Sequence, residues 1–163
     1  NAVPTAEGAV QLAMEKLPIT IHGSEVLVLG FGRCGSILAK LLAAMGAKTT
    51  VAARRKSQLA MARAWGLSTC SLNNLSLNSF DLIYNSIPAL VLTGELLAQT
   101  REEVLIIDLA SAPGGVDFQA AAQLGREAIL ALGLPGKVAP VSAGQILSAV
   151  VPSLIWELVQ SRA

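Results

Sequence analysis

The chain has 163 residues, of which 53% are hydrophobic, 14% charged and 4% aromatic, with a formal net charge of +1. That length suits one domain with its own core, and so few charges among so many apolar residues exclude an intrinsically disordered chain. The near-neutral balance excludes an electrostatic case for nucleic acid or an anionic membrane surface, so neither is expected as a partner.

Residues 5–16 place Ala6, Ala9, Val10, Ala13 and Met14 at helical spacing, with Thr5 as N-cap and Pro18 as the stop. A short apolar strand, residues 25–29, runs into Gly30-Phe31-Gly32-Arg33-Cys34-Gly35, and Ile37, Leu38, Leu41, Leu42 and Met45 then mark a helix closed by Gly46. Thr49-Thr50-Val51 predicts the next strand, followed by a basic triplet, Arg54-Arg55-Lys56, and a helix over residues 57–65. Leu82-Ile83-Tyr84 and Val104-Leu105-Ile106-Ile107 predict strands ending at Asn85-Ser86-Ile87-Pro88 and at Asp108. A helix over residues 117–124 and a short strand, Ala128-Ile129-Leu130, come next. Ser142-Ala143-Gly144-Gln145 reads as a capping box that opens a final apolar helix, which Pro152 is expected to kink.

Strands that are apolar on both faces and alternate with helices predict an α/β fold, a Rossmann-type doubly wound parallel sheet flanked by helices. Residues 1–163 are read as a single dinucleotide-binding domain. Its glycine loop stands directly after a strand and opens a helix, the context a G-x-G-x-x-G fingerprint requires. Gly30 makes the tight turn, Gly32 admits a pyrophosphate, and Gly35 lets helix and strand approach. Phe31, Arg33 and Cys34 complete this cradle, whose helix start offers N–H groups and partial positive charge. An NAD-selective site carries an acid at the end of the second strand, to bind the ribose hydroxyls. Here Arg54, Arg55 and Lys56 stand instead, which predicts NADP, with NAD as the alternative.

Ligands of such sheets bind beyond the carboxyl ends of the strands. Asn85, Ser86, Ile87 and Pro88, then Asp108, then a loop with Pro135, Gly136 and Val138 are expected there, flanking the nicotinamide half of the cofactor. Asp108 either orients substrate or caps the Gly114-Gly115 turn. No general acid or base stands out, and the catalytic residues stay unassigned. His22 and Asp81 belong to the amino edge of the sheet, and Lys137 either meets a substrate carboxylate or is a solvated loop residue. Cys34 and Cys70 are far apart and form no metal cluster with His22, so no metal is expected, and a reducing, cytoplasmic setting follows. The richest apolar run, residues 146–156, is broken by Ser148, Pro152 and Ser153, so no membrane span is expected.

Several runs outside the glycine loop resemble one family. Asn1-Ala2-Val3-Pro4-Thr5-Ala6-Glu7-Gly8, Ile21-His22-Gly23-Ser24, Ile87-Pro88-Ala89-Leu90-Val91 and Asp108-Leu109-Ala110-Ser111 with Pro113-Gly114-Gly115 are similar to segments of the dipicolinate synthase A subunits. So are Gly133-Leu134-Pro135-Gly136-Lys137-Val138-Ala139-Pro140 and Ala143-Gly144-Gln145-Ile146-Leu147, and the resemblance spans nearly the whole chain. It implies an NADP-dependent oxidoreductase of two domains, of which this chain is the cofactor domain, excised and inactive alone. Residues 1–17 and 142–163 are then linker or interface helices through which the chain is expected to form a homo-oligomer. A small dicarboxylate, a dihydro- or hydroxytetrahydro-dipicolinate, is the implied substrate. A flavoprotein-like B subunit is the implied partner, and the mother cell of a sporulating bacterium the implied setting. The Pro-Gly-x-Val-x-Pro pattern is also similar to methylenetetrahydrofolate dehydrogenases. The alternatives are therefore the cofactor domain of such a relative or of a 2-hydroxyacid dehydrogenase, or a nucleotide-sensing module without chemistry.

Overall fold

Consecutive apolar positions give each central strand two buried faces, and the sheet is built on them. In the computed structural model, which describes residues 1–160, β1 (Glu25–Leu29), β2 (Lys48–Ala53), β3 (Ser68–Ser71), β4 (Leu82–Asn85), β5 (Leu105–Asp108) and β6 (Glu127–Leu130) pair in parallel. The six-stranded order is β3-β2-β1-β4-β5-β6. The order in which strands are added therefore reverses between β1 and β4, and a crevice opens at that switch point. Alternation within β1 divides the core: Val26 and Val28 face one layer, Leu27 and Leu29 the other.

The first layer holds α1 (Ala2–Lys16), α2 (Arg33–Ala44), α3 (Lys56–Ala64) and α6 (Leu134–Val138); the second holds α4 (Gly94–Leu97) and α5 (Phe118–Gln123). α5 begins as its sequence predicts, with the Asp117 carboxylate accepting the Ala120 amide at 2.9 Å. α1 starts earlier than expected. Asn1 is its N-cap, and the Thr5 hydroxyl donates to the Asn1 carbonyl at 2.9 Å instead of capping. Pro4 is accommodated because a first-turn residue has no intrahelical N–H partner to lose. The apolar face of α1 is used within the chain: Ala6, Ala9 and Ala13 are almost wholly buried, and the Tyr84 hydroxyl donates to the Ala9 carbonyl at 3.0 Å.

Two expectations are corrected. Residues 135–138 are not a crevice loop but lie in α6, and α7 (Pro140–Gln160) begins at Pro140, which puts Ser142 inside the helix. Pro135 and Pro140 each open a helix, where a fixed φ is an asset, so these prolines mark helix starts rather than loop stiffness. β3 and α4 carry no apolar run of their own and are additions to the predicted elements. α7 is 21 residues long and apolar enough, by length and composition only, to cross a membrane, as core helices of soluble proteins also are. Ser148, Pro152 and Ser153 do not interrupt it, which the search for an unbroken apolar run could not anticipate. Only Ala143 of α7 is buried. The end of the expected terminal helix, residues 161–163, lies outside the described residues.

Candidate functional site

The glycine loop follows β1, and its conformation demands glycine at two of the three fingerprint positions. Gly30 has φ +94°, and a Cβ there would come within 2.5 Å of the Ser86 hydroxyl and 2.9 Å of Ile87 Cγ1. A Cβ on Gly35 would run into the Gly30 carbonyl, so the first turn of α2 can lie on the loop only without one. Gly32 differs: it caps α2 and a Cβ there would meet nothing within 4 Å. Its space faces outward, and no side chain caps the helix. The first N–H groups of α2 thus have no intrahelical partners and point at an open approach.

Two ties hold this loop. The Ser86 hydroxyl and amide both donate to the Leu29 carbonyl, each at 2.9 Å, which fixes the end of β4 to the end of β1. The Gln58 side-chain amide donates to the Phe31 carbonyl at 3.0 Å, which fixes the loop to α3. Between them lies a cleft of about 240 Å³, lined by Gly30, Phe31 and Gly32, by Ala53, Arg54 and Arg55 at the end of β2, and by Ser86, Ile87 and Pro88 after β4. Gln58 and Leu72 complete the lining. Arg54 and Arg55 are exposed, and no ion pair among the described residues engages either. A concave site with outward helix amides, two guanidinium groups outside any ion pair and no carboxylate in its walls has the chemistry that a phosphorylated nucleotide requires.

The structure thus brings together Gly30, Phe31, Gly32, Arg54, Arg55, Ser86, Ile87 and Pro88. Gly35 supports the loop from beneath, and Arg33 lines an adjoining groove beside Trp65. Cys34 and Lys56 open α2 and α3 without lining the cleft. Pro135, Gly136 and Val138 are elsewhere: α6 packs on α1, with Val138 methyls 3.1 Å from a Cβ built on Gly8. Asn85 and Asp108 are both fully buried behind the cleft wall. Asp108 caps the turn, accepting the Gly115 amide at 2.8 Å and the Ala110 amide at 3.0 Å, the second of its two readings. Sequence reasoning missed Gln58 and Leu72, since neither belongs to a motif.

The other reactive groups lie apart. Asp81 accepts the Glu25 amide at 2.8 Å and pairs with Arg101 at 2.6 Å at the amino end of the sheet. His22 packs against Gly46 at the same end. Burial pushes the Cys70 thiol upward, which makes it a poor nucleophile near neutral pH. Among the described residues no group of three or more His, Cys, Asp or Glu side chains is placed to hold a metal ion.

Comparison with known proteins agrees with this geometry. The family model of the D-isomer specific 2-hydroxyacid dehydrogenase NAD-binding domain matches residues 5–126. The dipicolinate synthase A subunit of Bacillus subtilis (strain 168) is 43% identical over 160 residues, covering 97% of this chain and 54% of that protein. The crystal structure of the dipicolinate synthase A subunit from Bacillus halodurans has TM-score 0.91 and 43% identity, covering 94% of this chain and 53% of that one. The dipicolinate synthase A chain of Bacillus subtilis gives TM-score 0.92 and 42% identity, over 99% and 55%. The chain spans about half the length of the curated relative it matches. Its parallel sheet, its glycine loop and the match over residues 5–126 place it in one family: the chain belongs to the NAD-binding domains of the D-isomer specific 2-hydroxyacid dehydrogenases, and it resembles the dipicolinate synthase A subunits along nearly its whole length.

Proposed function

We propose that this chain is the NADP-binding domain of an oxidoreductase that forms dipicolinate from a dihydro- or hydroxytetrahydro-dipicolinate. The observation that carries the reading is one cleft shared by the glycine loop, Arg54 with Arg55, and Ser86 with Pro88. A bound nicotinamide dinucleotide supplies hydride exchange with the substrate. The α2 N–H groups and the space above Gly32 hold the pyrophosphate. Arg54 and Arg55 pair with a 2′-phosphate through charge and planar donor forks. Ile87 and Pro88, which line the cleft after β4, would wall the side toward the nicotinamide.

The substrate, a flavoprotein-like B subunit as partner and a role in the mother-cell cytoplasm during sporulation follow from the 43% identity to the dipicolinate synthase A subunit. In this reading the remaining half of a longer protein completes the active site, and the exposed apolar side chains of α7, such as Leu154 and Trp156, are interface. A second reading, a 2-hydroxyacid as substrate, is favoured by the family model alone. Calorimetric titration of the chain with NADP and NAD tests the cofactor. Hydride transfer by the full-length protein, with a dihydrodipicolinate or a 2-hydroxyacid, separates the two substrates. It also separates both from a nucleotide sensor, which transfers none.

A further inference from the structure

We propose that Asn85 and Asp108 are positioning residues for the nucleotide cleft: a buried hydrogen-bonded pair that locks its 86–88 wall to the 110–116 loop on the neighbouring strand. This role rests on the nucleotide reading of the cleft. Both side chains are fully buried at the carboxyl ends of β4 and β5, and the Asn85 amide donates to Asp108 Oδ1 at 2.8 Å. Asn85 closes a turn on the wall itself. Its Nδ2 donates to the Ile87 carbonyl at 3.0 Å, and its Oδ1 accepts the Ile87 amide at 3.1 Å. Asp108 closes the other loop through Ala110 and Gly115. The Gly115 carbonyl in turn accepts the Val91 amide at 3.0 Å and the Leu92 amide at 2.9 Å, so backbone bonds also tie the two segments together. Gly115 packs so closely that a Cβ there would run into the Asn85 amide.

Counting donors and acceptors fixes which residue stands where. Three N–H groups converge on position 108, from Asn85, Ala110 and Gly115, so both of its arms must accept, and only a carboxylate does that. Ile87 presents both a carbonyl and an N–H to position 85, so that side chain must donate and accept, which requires an amide. The pair therefore has a direction. Asp108→Asn sets an NH₂ against a donor, and Asn85→Asp sets an oxygen against the Ile87 carbonyl. Exchanging the two residues satisfies neither end, unlike the exchange of a simple ion pair.

The test is calorimetric titration of the 163-residue chain with NADP, beside thermal melting. Asp108→Asn and Asn85→Asp are expected to bind NADP about tenfold more weakly, as for a wall correctly set in about a tenth of molecules. The double exchange is expected to be no better than either. Leu97→Ala, a truncation in the fully buried core of the second layer, is the control: it lowers the melting temperature and leaves NADP affinity unchanged. Should the Asp108 variant fail to fold, amide exchange on the unaltered protein decides the matter. NADP should protect the Ile87 and Gly115 amides together, and protection of Ile87 alone overturns the coupling. Folded variants that bind like the unaltered chain, or a double exchange that restores affinity, overturn this role alone. An unaltered chain that binds neither NADP nor NAD overturns the nucleotide reading, and this role with it.

Discussion

Removing both guanidinium groups beside the cleft, by Arg54→Ala with Arg55→Ala, is expected to abolish a preference for NADP over NAD. Both arginines line the cleft with no carboxylate among its walls, and both are exposed. A buried charge-assisted hydrogen bond contributes about 1.5–3 kcal/mol, but water screens these, so the range for exposed ion pairs, about 0.2–1 kcal/mol each, applies. Two contacts in the upper part of that range sum to about 1.4 kcal/mol, or about tenfold in affinity. Arg54→Ala alone should lose about half of that free energy, near a threefold change. The preference should shrink as salt rises, because screening acts most on exposed charge. Ala53, 2% exposed at the end of β2 and in the cleft lining, is where an acid would meet the ribose hydroxyls. Ala53→Asp with Arg54→Ala should therefore reverse the order. Calorimetry with each nucleotide at low salt is the assay. Equal affinities in the unaltered chain, or a ratio that survives loss of both arginines, would refute the assignment of the 2′-phosphate to this basic pair.

Gly35→Ala should destabilise the chain by about 1–3 kcal/mol or more, because its Cβ meets the Gly30 carbonyl and backbone must shift; thermal denaturation reads this. Gly32→Ala is the converse, with a loss of no more than about 1 kcal/mol in stability for an alanine N-cap and a clear loss in nucleotide affinity by titration, since its Cβ enters open space above the cleft. Tyr84→Phe removes the bond to Ala9 and should cost about 1 kcal/mol at neutral pH in a urea melt. Burial pushes the Tyr84 phenol well above its ordinary value of 10.0. The unfolded chain thus releases this proton first, and stability falls as pH rises past about 10; the phenylalanine variant should lack that part of the slope. Gly136→Ala, with nothing within 4 Å of the new Cβ, should add up to about 1 kcal/mol through helix propensity and leave nucleotide affinity untouched; a weakened affinity would return α6 to the site.

The central strands were legible because burial on both faces leaves unbroken apolar runs, as at Leu82-Ile83-Tyr84, and the glycine loop was legible because its spacing sits between a strand and a helix. β3 was not. Ser68-Thr69-Cys70-Ser71 is a polar edge strand whose only strand partner is β2, so it has no apolar run to display. Pro135 and Pro140 misled for a physical reason: proline punctuates both loops and helix starts, and only the packing of α6 on α1 distinguishes them. The basic triplet is continuous in sequence, yet the turn into α3 sends Arg54 and Arg55 to the cleft and leaves Lys56 as the first helical residue.

What the sequence could not display is how the two halves of the cleft are held together. Its walls come from the ends of β1, β2 and β4 and from α3, and no contact between sequence neighbours joins them. The joins are long-range hydrogen bonds: Ser86 to Leu29 across 57 positions, Gln58 to Phe31 across 27, and Asn85 to Asp108 across 23. Each ends on the backbone of a loop or on a side chain that holds one. A site assembled from separate loops must lose loop freedom when it binds, unless the loops are already ordered. These three bonds do that ordering in the chain itself. Cutting any one should therefore cost more free energy in nucleotide binding than in folding stability, and that inequality, read by titration beside urea unfolding, separates a preorganised cleft from one that forms around its ligand.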